Sequence, residues 1–199
     1  MKKIFKTIKK EVSQLIFSII QSYPDTTRGA RLRKNYWSKR LRSCGTNSEF
    51  RRGCAIGFPN LIDVGNNFII GHDALMTAGH SQGIFIGNDV SLSRGTFVHA
   101  TNHNIDNINI PIMKQGVSSA KIEFNNKIYS IVIEDDVWMG SKCIILSGTH
   151  LKKGCVVSAG SVVSGSEMVH KILVGHSKTF DIFEKMSRAE PKFSLNKKF

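Results

Sequence analysis

The 199-residue chain lacks several features that mark membrane-spanning, secreted or metal-binding proteins. Because it has no run of about 18 apolar residues, we expect no membrane-spanning helix. No two of its four cysteines form a CxxC pair, which disfavours a thiolate metal site. Its N-terminal segment is not typical of a signal peptide, since Lys9, Lys10 and Glu11 interrupt the apolar residues. These absences predict a cytoplasmic protein.

Acidic residues are scarce relative to basic ones. Fifteen Asp and Glu face 28 Lys and Arg, which gives a formal net charge of +13. Such an excess favours anionic partners, namely a phosphorylated cofactor, an acidic glycan, nucleic acid or anionic lipid. Nucleic acid is the weakest of these, because the basic residues concentrate near the two ends and no nucleic-acid-binding motif is present.

The chain does contain a six-residue hydrophobic period. Neither an α-helix nor an alternating strand maintains such a spacing. A fixed period of six is typical of a β-helix, in which successive coils stack around one continuous core. The predicted inward-facing positions are Val64, Ile70, Met76, Ile86, Leu92, Val98, Ile133, Met139, Ile145, Leu151, Val157 and Val163.

A second inward-facing position lies two residues before each large one, because alternate residues of a strand share a face. Small side chains occupy it, and three of them are Cys54, Cys143 and Cys155. We expect these thiols to pack in the core rather than to form disulfides, bind a metal or act as nucleophiles. Gly, Asn and Asp between the hexads predict the corners.

Two insertions interrupt the period. About four extra residues fall within 77–83, and the period is lost across 101–130. Long insertions in a solenoid lie on its surface and often form the binding face. We therefore expect an N-terminal helix and basic segment over 1–49, the β-helix with its inserted loop over 50–178, and a C-terminal helix and basic tail over 179–199.

Residues 2–22 predict an amphipathic helix that ends before Pro24. Its lysines gather near the start, and its apolar face comprises Ile4, Ile8, Val12, Leu15, Ile16, Ile19 and Ile20. That face could dock on the β-helix or a neighbouring subunit, the alternative that base rates favour, or could lie on the anionic inner surface of a membrane. The basic segment 28–42 is either a solvated face or a binding surface for an anionic acceptor.

Two stretches carry a family resemblance. Residues 133–163, IEDDVWMGSKCIILSGTHLKKGCVVSAGSVV, resemble the C-terminal coils of hexapeptide-repeat acyltransferases, and most closely the bacterial sugar and polysaccharide O-acetyltransferases of the galactoside, maltose and colanic acid branches. Residues 102–116, NHNIDNINIPIMKQG, are similar to the active-site loop of the colanic acid and capsular branch. The resemblance covers about residues 50–178. It implies an all-β, left-handed parallel β-helix, a homotrimer with active sites between subunits, and acetyl-CoA as the donor.

Acetyl transfer to a hydroxyl requires a base, and histidine suits that role near neutral pH. His103 matches the catalytic histidine of the family, whereas His72, His80 and His99 are weaker candidates. Asp106, near in sequence, and Asp73, one coil earlier, could orient the base or bind the acceptor. Either aspartate could instead be a corner residue.

The resemblance also implies the acetyl-CoA site. It assigns the N–H that stabilises the thioester oxygen to Ser141, with Gly140 allowing close backbone approach. Trp138 would pack on pantetheine, on the acceptor or between subunits. Ala159 and Ser164 would contact pantetheine, and Lys178 would meet the CoA phosphates. The chain departs from the family at 175–179, GHSKT, where the usual proline is absent and the basic residue is shifted by one.

We therefore expect an acetyl-CoA-dependent O-acetyltransferase that acts on a sugar hydroxyl of a surface polysaccharide or its precursor. An N-acetyltransferase for amino sugars is an alternative, because an amine needs the same base. A non-catalytic glycan-binding β-helix is a further one. A zinc enzyme on this fold, such as a carbonic-anhydrase-like protein, is disfavoured by the histidine spacing. His99 and His103 are four residues apart, whereas the zinc-binding motif that they resemble needs a spacing of five. No metal is expected.

Overall fold

Short strands alternate with turns along most of the chain, as the six-residue period predicts. The computed structural model describes residues 2–168 and 172–173. Two helices come first, α1 (Lys2–Ser22) and α2 (Thr27–Ser38). The strands are β1 (Ser43–Cys44), β2 (Glu49–Phe50), β3 (Ala55–Gly57), β4 (Ile62–Val64), β5 (Ile69–Ile70), β6 (Leu75–Thr77), β7 (Ile84–Ile86), β8 (Ser91–Leu92), β9 (Phe97–His99), β10 (Asn102–His103), β11 (Val117–Ser118), β12 (Ile122–Phe124), β13 (Lys127–Tyr129), β14 (Ile131–Ile133), β15 (Trp138–Met139), β16 (Ile144–Leu146), β17 (His150–Leu151), β18 (Val156–Val157), β19 (Val162–Val163), β20 (Ser166–Met168) and β21 (Ile172–Leu173). Short 3₁₀ turns span Pro59–Leu61 and Ile112–Lys114.

The strands form three parallel sheets that run along a solenoid of about six coils. Sheet A contains β1, β4, β7, β14, β17 and β20. Sheet B contains β2, β5, β8, β15, β18 and β21, and sheet C contains β3, β6, β9, β16 and β19. Each of the first five coils contributes one strand to each sheet in the order A, B, C, and the described part of the sixth contributes β20 and β21. The predicted parallel β-helix of hexapeptide repeats is confirmed, and its first strand already precedes residue 50.

The core is the stack of inward-facing residues that the period predicts. Each large aliphatic side chain lies above its counterpart in the next coil, as in the register of Ile133 on Ile86 and of Met139 on Leu92. All twelve predicted large positions are buried, and so are the small Cys54, Cys143 and Cys155. The predicted packing of these thiols in the core is confirmed.

The two helices lie against the first coil, and Arg33 of α2 is the main polar link. Its guanidinium is 1% exposed, donates to the Phe50 and Tyr23 carbonyl oxygens at 2.9 Å each, and pairs with Asp25 at 2.5 Å. Burial favours a neutral Asp25, but the hydrogen bond from His72 and the charge of Arg33 hold the pKa of Asp25 below its usual value. The expectation that the 28–42 basic residues are either solvated or free for an acceptor is therefore wrong for Arg33.

The insertion 101–130 contains two antiparallel hairpins, β10–β11 and β12–β13. The second covers the outer face of sheet A, where Phe124 packs on Phe85 at 5.0 Å between ring centroids. Its last residue, Tyr129, donates a 2.7 Å hydrogen bond to Asp63, which also pairs with Arg42 at 2.5 Å. Polar contacts thus attach the insertion to the solenoid at a buried carboxylate.

The network around Asp63 predicts a pH-dependent stability. Burial would raise the Asp63 pKa, but hydrogen bonds from Arg42, Tyr129 and Ser43 lower it to about 2, against 3.8 for the free side chain. Because the folded pKa is the lower one, the stabilisation is present above about pH 4 and is lost as pH falls toward 2. The shift corresponds to roughly 2 kcal/mol of unfolding free energy.

We expect Tyr129→Phe to lower the free energy of unfolding by about 1.5–3 kcal/mol near neutral pH, because one hydrogen bond to a buried carboxylate is lost. The deficit should shrink near pH 2, where Asp63 becomes protonated. Urea denaturation near neutral pH and near pH 2 measures this deficit in the free energy of unfolding. Tyr36→Phe is the matched control, since the Tyr36 hydroxyl makes no hydrogen bond to the described residues. An equal deficit at both pH values would contradict the role of the carboxylate.

Candidate active site

The turn that connects sheet B to sheet C, here called the B–C corner, repeats in every complete coil. The turns at 51–54, 71–74, 93–96 and 158–161 each close with a backbone hydrogen bond from the fourth residue to the first, and 140–143 is the equivalent turn. The third residue has a positive φ in all five, namely Gly53, Asp73, Gly95, Lys142 and Gly160. A positive φ at this position alone is the signature of a type II turn.

The second residues of these turns stack in a column. The carbonyls of the first four accept a hydrogen bond from the next coil, as Ser141 does from Gly160 N–H at 2.9 Å. The N–H groups of all five second residues donate to no acceptor in the described part of the chain. Ser141 and Ala159 are two of them, and both residues are exposed. They lie in adjacent coils, about 4.8 Å apart. The corner therefore offers a column of unpaired N–H donors to a ligand's carbonyl oxygens, and Ser141 and Ala159 are a stacked pair within it.

Gly140 and Trp138 flank these donors. Gly140 is buried, and a Cβ at this position would lie 2.5 Å from the Ala159 nitrogen, so only glycine allows the two coils this spacing. The Trp138 side chain is 54% exposed on the outer face of sheet B, and its Nε1 donates to Ser93 Oγ at 3.2 Å. A large apolar surface thus lies beside the free N–H groups, as an elongated ligand would require.

His103 lies at the turn that connects sheet C to sheet A, here called the C–A corner. It ends β10, where its backbone pairs with Val117 of β11. Its imidazole is exposed and makes no hydrogen bond to any described side chain or backbone group. Asp106 is exposed three residues later and is not hydrogen-bonded to His103. The predicted orienting role of Asp106 therefore has no contact to support it within one chain.

The segment after His103, residues 104–116, is an exposed loop fixed by two amide side chains. Asn104 donates to the Gln115 carbonyl at 2.9 Å. The Gln115 side chain accepts from Asn107 N–H at 3.1 Å and donates to the Asn107 and Ile110 carbonyls at 2.9 and 2.7 Å. These bonds give the loop a defined shape although its apolar side chains, including Ile108 and Met113, face outward.

The other three histidine candidates have local partners. Nε2 of His99 lies 3.2 Å from the Thr101 hydroxyl, and its buried Nδ1 has no partner among the described residues. His80 packs edge-on against Phe58, and His72 binds Asp25 at 2.5 Å. Neither His80 nor His103 has a hydrogen-bond partner among the described residues, but the His80 ring packs on Phe58, whereas His103 lies on the exposed insertion that the family resemblance singles out.

Asp73 is a corner residue, the second of the two alternatives for this position. It takes the positive-φ place in its turn, and its carboxylate pairs with Arg94 of the next coil at 2.9 Å. Arg94 was not among the predicted site residues. The sequence could have pointed to it, because Arg94 occupies the second position of its B–C turn, one coil after His72 and in the same column as Ser141.

Within one chain, the predicted site residues fall into two groups. Trp138, Gly140, Ser141 and Ala159, with Asp73, lie at or beside the B–C corner. His103 and Ser164 follow sheet C strands and lie at the C–A corner. A sheet C strand of two or three residues, roughly 7–10 Å long, separates the two corners. Lys178 lies outside the described residues, as does the predicted C-terminal helix and tail.

The outer face of sheet C, between these corners, is largely apolar. One outward-pointing row, in register from coil to coil, consists of Ala55, Leu75, Phe97, Ile144 and Val162. The second row, at the C–A side, is mixed and contains Gly57, Thr77, His99 and Leu146. Leu75 is 38% exposed and the others are half-buried in the isolated chain. Such a face is suited to contact with another protein surface.

The described cysteines do not form a nucleophilic or metal-binding centre. Burial raises the pKa of Cys54 to about 12 and also raises that of Cys143, so both thiols stay protonated near neutral pH. Among residues 2–168 and 172–173, no cluster of three or more His, Cys, Asp or Glu side chains could hold a metal ion.

Comparisons with known proteins agree with the repeat and the fold. A family model, the hexapeptide repeat of succinyl-transferase, matches residues 130–164. A probable acetyltransferase of Mycobacterium tuberculosis is 28% identical over 111 residues, 56% of this chain and 33% of that protein. A galactoside O-acetyltransferase of Lactococcus lactis is 31% identical over 81 residues, 41% of this chain and 34% of that protein. The chain thus spans about a third of the curated relatives it matches.

Among solved structures, a hexapeptide-repeat acetyltransferase of Vibrio cholerae in complex with acetyl-CoA has a TM-score of 0.63 and 22% identity, covering 84% of this chain and 81% of that one. The two structures therefore share the same fold over most of their length. Together with the repeat match and the curated relatives, this likeness shows a parallel β-helix of hexapeptide repeats that is similar to hexapeptide-repeat acetyltransferases.

Proposed function

We propose that the protein transfers the acetyl group of acetyl-CoA to a sugar hydroxyl of a surface polysaccharide or its precursor. The observation that carries this proposal is the pair of unpaired N–H groups of Ser141 and Ala159 at the B–C corner. A thioester and a pantetheine amide each present a carbonyl oxygen that such donors can bind. A solved structure of similar fold is a complex with acetyl-CoA, and a curated relative is named a galactoside O-acetyltransferase, which supports a sugar acceptor.

In the proposed reaction, the acceptor hydroxyl attacks the thioester carbonyl while His103 removes its proton. The Ser141 N–H stabilises the negative charge that develops on the thioester oxygen. The C–S bond then breaks, the CoA thiolate leaves, and the proton held by His103 returns to it. Neither Cys54 nor Cys143 takes part, because both are buried with raised pKa values. Transfer is therefore direct, without an acyl-enzyme.

The site is completed between chains in this proposal. His103 and Ser141 lie at opposite edges of sheet C, so a single copy does not present both to one substrate. A second copy packed on the apolar face of sheet C brings its B–C corner against the first copy's C–A corner. A homotrimer with three such contacts satisfies this arrangement and buries the exposed Leu75.

Acetyl-CoA turnover against a panel of acceptors tests the proposal. We expect CoA thiol release from the purified protein to depend on an added oligosaccharide, and the product ester to be cleaved by hydroxylamine. A hydroxylamine-resistant product would instead identify an amine acceptor and an N-acetyltransferase. Binding of glycans without any turnover would support the glycan-binding alternative and refute the enzymatic one.

A further inference from the structure

Helix α1 carries an exposed apolar stripe. No helix in the described part of the chain is long and apolar enough to cross a membrane. The stripe residues recur every three or four positions and therefore share one face about 100° wide. They are Phe5, Ile8, Val12, Leu15, Ile16 and Ile19, each between 48% and 78% exposed.

The opposite side of α1 holds the helix on the body of the protein. Phe17 packs against Tyr36 and Trp37 of α2, with ring centroids 5.6 and 5.7 Å away. The Gln21 side chain donates to the Cys54 carbonyl of the first coil. At 100° per residue, Phe17 and Gln21 point roughly opposite to the stripe. The stripe therefore faces away from α2 and the solenoid, and the chain's own described residues do not cover it.

The charges of α1 indicate what covers the stripe. The helix contains five lysines, at positions 2, 3, 6, 9 and 10, and a single acidic residue, Glu11. None of its first-turn residues is acidic. Cations at a helix N-terminus oppose the macrodipole, so this placement does not serve the stability of the helix. An anionic surface next to the lysines would offset that cost.

We infer that α1 lies in the plane of an anionic lipid surface, with the stripe in the boundary between headgroups and acyl chains. A helix with an apolar face and lysines at the positions of its polar face is the pattern that such surfaces bind. Stripe-to-stripe packing with a second copy is the competing occupant. It would bring together two or more copies of a helix that contains five lysines and one glutamate, which is electrostatically unfavourable.

Vesicle flotation of the full-length protein tests this inference. We expect wild type to float with phosphatidylcholine vesicles that contain phosphatidylglycerol, to float poorly with pure phosphatidylcholine, and to be released by high salt. The double variant Leu15→Gln/Ile19→Gln should bind the anionic vesicles at least about tenfold more weakly, because two side chains of the stripe lose their favourable burial.

Ile128→Gln is the matched control, since Ile128 is 50% exposed on the β12–β13 hairpin, outside α1. It should bind vesicles as wild type does. Equal flotation of wild type and the double variant would overturn the inference, as would the absence of wild-type binding. A loss of self-association in the double variant, without vesicle binding by wild type, would assign the stripe to a second copy. Turnover of a soluble acceptor does not depend on α1, so failure here leaves the proposed function standing.

Discussion

Replacement of His103 by alanine is expected to lower kcat for acetyl transfer by roughly 10²–10⁴-fold. The imidazole is exposed at the C–A corner and its nitrogens have no partner among the described residues, so it is available to take the acceptor's proton. The Michaelis constant for acetyl-CoA should change little, because the donors for that ligand, Ser141 and Ala159, lie at the other corner. Initial rates at saturating acceptor, with acetyl-CoA varied, separate the two parameters.

His80→Ala is the control for this variant. His80 is exposed near the same corner, where it packs on Phe58, and it has no place in the proposed reaction. Its activity should stay within about twofold of wild type. Unchanged turnover in His103→Ala, with the fold intact by circular dichroism, would refute the assignment of the base. A loss in acetyl-CoA affinity alone would place His103 in the donor site instead.

The core of the solenoid was predictable from the sequence because a repeating coil makes burial a local property. Each hexad presents its large and small side chains inward whatever its neighbours are, so Met139 and Cys143 could be placed without long-range information. The handedness and the trimer implied by the resemblance stay predictions.

The polar contacts were not predictable in the same way. Arg33 reads as one solvated cation among many, and its burial depends on Asp25 and on a carbonyl 17 residues away. The β12–β13 hairpin did have a sequence signal, the Asn125-Asn126 pair, which was overlooked in favour of the hexad period. Both asparagines have positive φ, as a type I′ turn requires. Which N–H groups stay unpaired follows from the stacking of one coil on the next, which sequence spacing alone does not show.

Replacement of Ser141 by proline is expected to lower kcat by roughly 10²–10³-fold, the usual cost of losing one donor to a developing oxyanion. Ser141 is the second residue of a type II turn, a position that favours proline. Its N–H makes no hydrogen bond within the described residues, so the substitution removes the donor without removing an internal contact. Arg52→Pro, at the same turn position of the first coil, is the matched control and should remain active. A folded Ser141→Pro variant with wild-type turnover would contradict the role of this N–H.

Coexpression of the two inactive variants then tests whether the site lies between chains. In a mixed oligomer, a His103→Ala subunit still supplies the Ser141 N–H, and a Ser141→Pro subunit still supplies His103. Where the two meet in the right order, one site contains both groups, so the mixture should recover a measurable fraction of wild-type turnover although each parent has almost none. If both groups instead acted within one chain, no mixed site would be complete, and turnover would equal the average of the two parents. Recovery therefore requires the arrangement in which one copy's C–A corner meets its neighbour's B–C corner.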